Sequence, residues 1–347
     1  MKLAKRGAAK PLGTHTAVGH LHDLKKWKDI DYLRDNGGML PPFIIAVGSR
    51  VRVKKCPEIM NLKDAVHIDE AAGKLHGLQA YGRVAELIGT SEVDGFSFPL
   101  MIVETQMGCP ATQINLRETL YFADDAGYNL DGRWIKSNGI YVARAGTAGG
   151  VNSFDSTKKT VKIGDILIGN SNYGSVGAVI QSYLQDLNFV GHCIADRVEK
   201  LTELMSELRG LALSADGLTL RTTSSEEVVS KLRKVAIERG VRFLEGNNYT
   251  KDSLYAEMDE ETFAELRDTY GIIGTEMEAL AIDMLRTDFA KAGINVYTGL
   301  VNAAIGAIPG KSFPETDEEK LAAHKAEENA LLIARDALGK IAKELNS

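Results

Sequence analysis

A chain of 347 residues, 44% of them hydrophobic and 25% charged, has the makeup of an ordinary soluble protein and is long enough to bury a large core. Its formal net charge of -6, with no basic stripe, argues against nucleic acid as a main partner. No apolar run approaches the roughly 18 residues that cross a bilayer, and the first residues lack an apolar leader, so a soluble, cytoplasmic protein is expected.

Residues 1–38 are polar, hold His15, His20 and His22, and end in Asp35-Asn36-Gly37-Gly38, which reads as an extension ahead of a domain over 39–347. Short β-rich runs then alternate with longer helical patterns: Phe43 to Val47, Leu100 to Thr105, Tyr141 to Arg144, Asp165 to Ile168, Val241 to Leu244 and Val296 to Val301. That alternation predicts a single α/β domain. Arg83 to Thr90, the acidic turn Glu92 to Gly95 and the run from Phe96 predict a hairpin. Val228, Val229, Leu232, Val235 and Ala236 fall at helical spacing behind Ser224-Ser225 as caps. The last helix, about Thr316 to Leu345, puts Leu331, Ala334, Leu338, Ile341 and Leu345 on one stripe, with Thr316 as its cap and a structural role.

Two segments carry chemistry. Arg144-Ala-Gly-Thr-Ala-Gly-Gly150 follows an apolar run and predicts a tight loop leaving a strand, where glycines admit backbone N–H groups, Thr147 adds a hydroxyl and Arg144 a charged fork, the makings of a phosphate site. Thr275-Glu276-Met277-Glu278-Ala279 sets two carboxylates about a methionine at the start of an apolar helix. A carboxylate is the acceptor a sugar diol requires, and a thioether makes a floor for a ribose ring. Cys56, Cys109 and Cys193 are too scattered for a disulfide framework or a metal cluster and read as reduced thiols, Cys109 as packing.

Together with Phe43 to Arg52 and Met107-Gly108-Cys109-Pro110-Ala111-Thr112, these segments occur in an order that resembles the nucleoside phosphorylases, the trimer-or-hexamer family that includes uridine phosphorylase and bacterial purine nucleoside phosphorylase. The likeness runs from about Pro42 to the C-terminus, with Ser49-Arg50 departing from the family's aspartate-proline pair. It implies one domain with a central mixed β-sheet surrounded by helices. By the same likeness Gly48, Arg52, Arg144 and Thr147 would bind phosphate, Met277, Glu278 and Glu276 ribose, and Leu254 and Tyr255 the base, with Arg144 and Glu278 as the catalytic pair.

Arg83, and His20 in preference to His15 or His22, match residues that the family lends to a neighbouring subunit, which implies at least a dimer. Inorganic phosphate is then a co-substrate and no cofactor is expected. A structural cation at the dimer interface is known in the family, but Val84 holds the simplest matching position with Glu86 close by, so its ligands stay unassigned. Ala303 stands where purine members carry a proton-donating aspartate. That tilts the reading to uridine phosphorolysis by a divergent enzyme of the protozoan type. The family's uracil-reading glutamine and arginine are absent, leaving Gln181, Gln185, Arg197 and Arg221 unranked. The alternatives are a purine nucleoside phosphorylase, a nucleosidase and a non-catalytic nucleoside-binding protein.

Overall fold

The computed structural model describes residues 14–175, 219–251 and 259–347. Its strands are β1 (Phe43–Val47), β2 (Lys63–His67), β3 (Glu86–Val93), β4 (Phe96–Glu104), β5 (Gly127–Leu130), β6 (Arg133–Lys136), β7 (Ile140–Val151), β8 (Ile166–Ser175), β9 (Thr219–Thr223), β10 (Phe243–Thr250), β11 (Ile272–Glu276) and β12 (Val296–Ile308). All but β5 and β6 join one mixed sheet in the order β11, β10, β8, β12, β7, β1, β4, β3, β2, with β9 alongside β8. Every residue of β1 is buried, as a parallel strand covered on both faces by helices must be.

The far edge of the sheet folds back on its middle. β11 pairs antiparallel with β7 through Gly274 opposite Gly150 and Thr275 opposite Gly149. Five strands, β7, β12, β8, β10 and β11, therefore close into a ring in which each is bonded to two others. Glycines in β7, β8 and β11 make such close curvature feasible.

The expected hairpin is β3 and β4, turned by Asp94 (φ 51°) and Gly95 (φ 73°), the positive pair that a type I′ turn requires. The C-terminal helix spans Asp317–Leu345. Thr316 accepts the Glu319 N–H while the Glu319 side chain reaches back, a full capping box. Its buried residues, among them Leu331, Ala334, Leu338 and Ile341, pack on one apolar cluster with β1, β4 and the helix Glu226–Glu238.

Three expectations need correction. β7 runs on through Val151, so Arg144 to Gly150 is strand and not a loop: its backbone pairs with β12 from Ile140 to Val151. Likewise β12 continues to Ile308, well beyond Val301. Ser225 stands at the N-terminus of Glu226–Glu238 without capping it, because its Oγ accepts instead from the Thr298 N–H and an Arg286 Nη1.

The segment read as an extension is packed onto the body over its described residues. The helix Ala17–Asp23 buries Ala17, Val18 and Leu21, and the buried Glu118 carboxylate accepts the N–H groups of His15 and Thr16 and the Thr16 hydroxyl. Among the described residues, no helix is long and apolar enough to cross a membrane.

Candidate active site

Where β1 ends, Gly48 and Ser49 lead into the helix Arg50–Ile59, with Ser49 accepting the Arg52 N–H as its cap. The cap aims Arg52 back over Gly48. Its Nη2 lies 3.5 Å from the Thr147 hydroxyl of β7, and its Nε lies 3.4 Å from Glu327 of the C-terminal helix. Arg50 faces the other way, its Nε 3.6 Å from Glu104.

Arg144, from the middle of β7, reaches the same spot from beneath. An added Cβ on Gly48 would lie 3.4 Å from Arg144 Nη2 and 3.8 Å from Arg52 Nη1, so both guanidinium groups converge on this glycine. Buried at 4% exposure, Arg144 donates through Nη1 to the Ala145 carbonyl and through Nη2, at 2.7 Å, to Glu278. Gly146 makes room for it. A Cβ there would stand 2.8 Å from both Arg144 Nη1 and Asn302 Oδ1. The glycines of this stretch thus serve close packing inside a strand, and the charge-bearing groups offered to an anion are side chains rather than a nest of backbone N–H groups.

Glu278 precedes the helix Ala279–Lys291. Its second oxygen accepts the N–H of Gly108, a residue at φ 87° in front of the helix Cys109–Phe122. Cys109, also buried, donates its thiol to the Met277 carbonyl, which fits the packing role expected of it. The Met107 to Thr112 motif therefore holds the glutamate-methionine-glutamate segment in place.

Glu276 differs from its neighbour. It closes β11, and its carboxylate accepts four bonds: from the Thr250 hydroxyl, the Asn248 amide and the N–H groups of Glu278 and Ala279. It thereby caps the helix from a strand end. Burial, followed by the adjacent Glu278 charge, raises its pKa above the ordinary carboxylate value against the pull of Arg144 and these donors.

Of these groups, Gly48, Ser49, Arg52, Arg144, Thr147, Glu276, Met277 and Glu278 face one cavity of about 340 Å3. They line it together with Lys251, Phe263, Thr275, Ile308 and Phe313, among others. The phosphate and ribose candidates are thus gathered in a single site. Lys251, Phe263, Phe313 and Glu327 were missed by sequence reasoning. They carry no local motif and arrive by topology alone.

Arg83 is exposed ahead of β3, and His20 is half-buried in Ala17–Asp23 against Tyr81. Neither lines this chain's cavity. Leu254 and Tyr255, like Gln181, Gln185, Cys193 and Arg197, lie outside the described residues. Arg221 stacks on Tyr173, away from the cavity lining. Ala303 is fully buried in β12. Among the described residues, no group of three or more His, Cys, Asp and Glu side chains is arranged to hold a metal ion.

No protein-family model matches the sequence. A DeoD-type purine nucleoside phosphorylase of Geobacillus sp. is 30% identical over 134 residues, which cover 35% of this chain and 54% of that protein. The chain thus spans about half the length of the curated relative it matches. Among solved structures, the purine nucleoside phosphorylase of Toxoplasma gondii in complex with immucillin-H has a TM-score of 0.54 at 18% identity, covering 88% of this chain and 93% of its own. The uridine phosphorylase of Vibrio fischeri complexed with 6-hydroxy-1-naphthoic acid has a TM-score of 0.55 at 16% identity, covering 89% and 94%. In fold the chain is similar to these nucleoside phosphorylases, and over 134 residues it is similar in sequence to the DeoD-type protein.

Proposed function

We propose that the chain catalyses nucleoside phosphorolysis, with uridine and inorganic phosphate as substrates and uracil and ribose 1-phosphate as products. The observation that carries the reading is the buried Arg144–Glu278 pair, set beside Arg52 and Thr147 in one cavity. Two guanidinium groups suit a phosphate dianion and have little use for a neutral water, which argues against a nucleosidase. Glu278 has two of its acceptor positions filled, by Arg144 and Gly108, and keeps lone pairs for the 2′- and 3′-hydroxyls. Met277 supports the ring.

As the bond to the base breaks, positive charge grows on the sugar between the phosphate and the Glu278 carboxylate. Both stabilise that state more than the neutral ground state. Ala303, lacking any acid function, favours a base that can leave as a stabilised anion, hence uracil. The DeoD-type relative supports the purine reading instead. Arg83 and His20 act in a neighbouring chain's site, so the working unit is at least a dimer.

The test is release of base from uridine, inosine and adenosine, with and without phosphate. Phosphate-dependent release from uridine is expected, reduced in Arg83→Ala and His20→Ala. Release without phosphate would establish a nucleosidase, and none from any nucleoside a binding protein.

A further inference from the structure

Besides the arginines and the acids, the cavity is lined by Lys251, directly after β10, and by Thr275 of β11, both set among apolar residues. The geometry points to Lys251 and Thr275 as the residues that read the nucleobase: the Lys251 ammonium donates to the oxygen at C4 of a pyrimidine or C6 of a purine, so the site selects bases with an oxo group there over those with an amino group. This rests on the phosphorolytic reading and deepens it.

Lys251 directly follows β10, and its N–H donates to the Glu276 carbonyl at 2.7 Å, which fixes its backbone beside the glutamate-methionine-glutamate segment. Thr275 precedes Glu276 and is only 7% exposed, yet its Oγ1 has no hydrogen-bond partner among the described residues. Its methyl lies against Gly149, 3.5 Å from where a Cβ would stand. A buried hydroxyl left unpaired is unfavourable, and a bound ligand with a polar edge would offset that. Both residues line the same cavity as Arg144 and Met277, and Phe263, Ile308 and Phe313 supply apolar surface for a flat ring.

A lysine ammonium has three donors and no acceptor. It pairs with O4 of uracil or O6 of hypoxanthine and leaves the amino group at the same position of cytosine or adenine facing another donor, a mismatch that rejects the ligand. Its charge also acts in the reaction. A phosphate oxygen forms the new bond to the anomeric carbon, the carbon–nitrogen bond breaks with its electron pair going to the base, and the base takes up the proton that hydrogen phosphate gives up on becoming the ester. In the transition state the base's growing negative charge spreads to its carbonyl oxygen, where the ammonium meets it. That supplies what Ala303 cannot.

Steady-state kinetics on the full chain test this with Lys251→Met, Lys251→Arg and Thr275→Val, using uridine, 5-fluorouridine, inosine, cytidine and adenosine. The parent enzyme should prefer the oxo-substituted nucleosides. Lys251→Met should lose kcat/KM on uridine by on the order of 10²-fold with phosphate KM unchanged. The defect should shrink on 5-fluorouridine, whose base leaves more readily, and Lys251→Arg should recover part of the rate. Thr275→Val should mainly raise nucleoside KM. A parent enzyme that prefers cytidine or adenosine, or a Lys251→Met enzyme with unaltered selectivity or an equal defect on uridine and 5-fluorouridine, overturns the base reading alone. A parent without phosphate-dependent release from any nucleoside overturns the phosphorolytic reading beneath it.

Discussion

Glu276 and Glu278 stand two residues apart and do different work. One is consumed by four donors in closing a strand and opening a helix, and the other keeps acceptor capacity toward the cavity. Their difference was not legible from the sequence, where both were acids at a helix start, because it depends on where β11 stops. Arg144, Thr147 and Glu278 were legible as a set by residue type, whereas Glu327, placed on Arg52 across 275 positions, was not. Glu278→Gln keeps the size and one amide oxygen, so the fold should survive. Losing the charge and one acceptor should lower kcat/KM by about 10²-fold, as expected for two weakened bonds to a charged group. Kinetics within about 3-fold of the parent would remove Glu278 from ribose binding.

At the scale of the element, local chemistry served where an element is decided locally. The Asp94-Gly95 turn and the Thr316 cap follow from two or four neighbouring residues, and both stand as expected. Arg144 to Gly150 fails for the converse reason. Glycine marks turns in a sequence, yet here a ladder with β12, distant in the chain, holds the same glycines extended. The capping box can be tested by itself: Thr316→Ala should cost about 1 kcal/mol in urea unfolding while leaving turnover intact, since the helix is also fixed by its buried stripe.

At the scale of the molecule, the N-terminal segment is tied to the sheet through buried acids. Glu86 of β3 accepts the Val18 N–H at 3.1 Å, and burial pushes its carboxyl from an ordinary 4.5 up to about 8. The folded chain holds this proton more tightly than the unfolded one. The stability it contributes is therefore complete below about pH 4.5 and lost as the pH rises through about 8. Glu86→Gln should flatten that decline and stabilise the protein at pH 8 by about 1 kcal/mol or more, as read from urea midpoints at pH 5 and pH 8. The same loss between those pH values in parent and variant would exclude Glu86 as its source.

The ring of five strands is stitched shut over only two residue pairs, Gly274 with Gly150 and Thr275 with Gly149. Arg144 belongs to one of the joined strands, and Glu278 lies two residues past the end of the other. A molecule gripped by both would act as a rivet across this seam, so amide hydrogen exchange at Gly149, Gly150, Gly274 and Thr275 should slow when phosphate and nucleoside are added together. The least-fastened joint of the barrel is then the one its own substrates clamp.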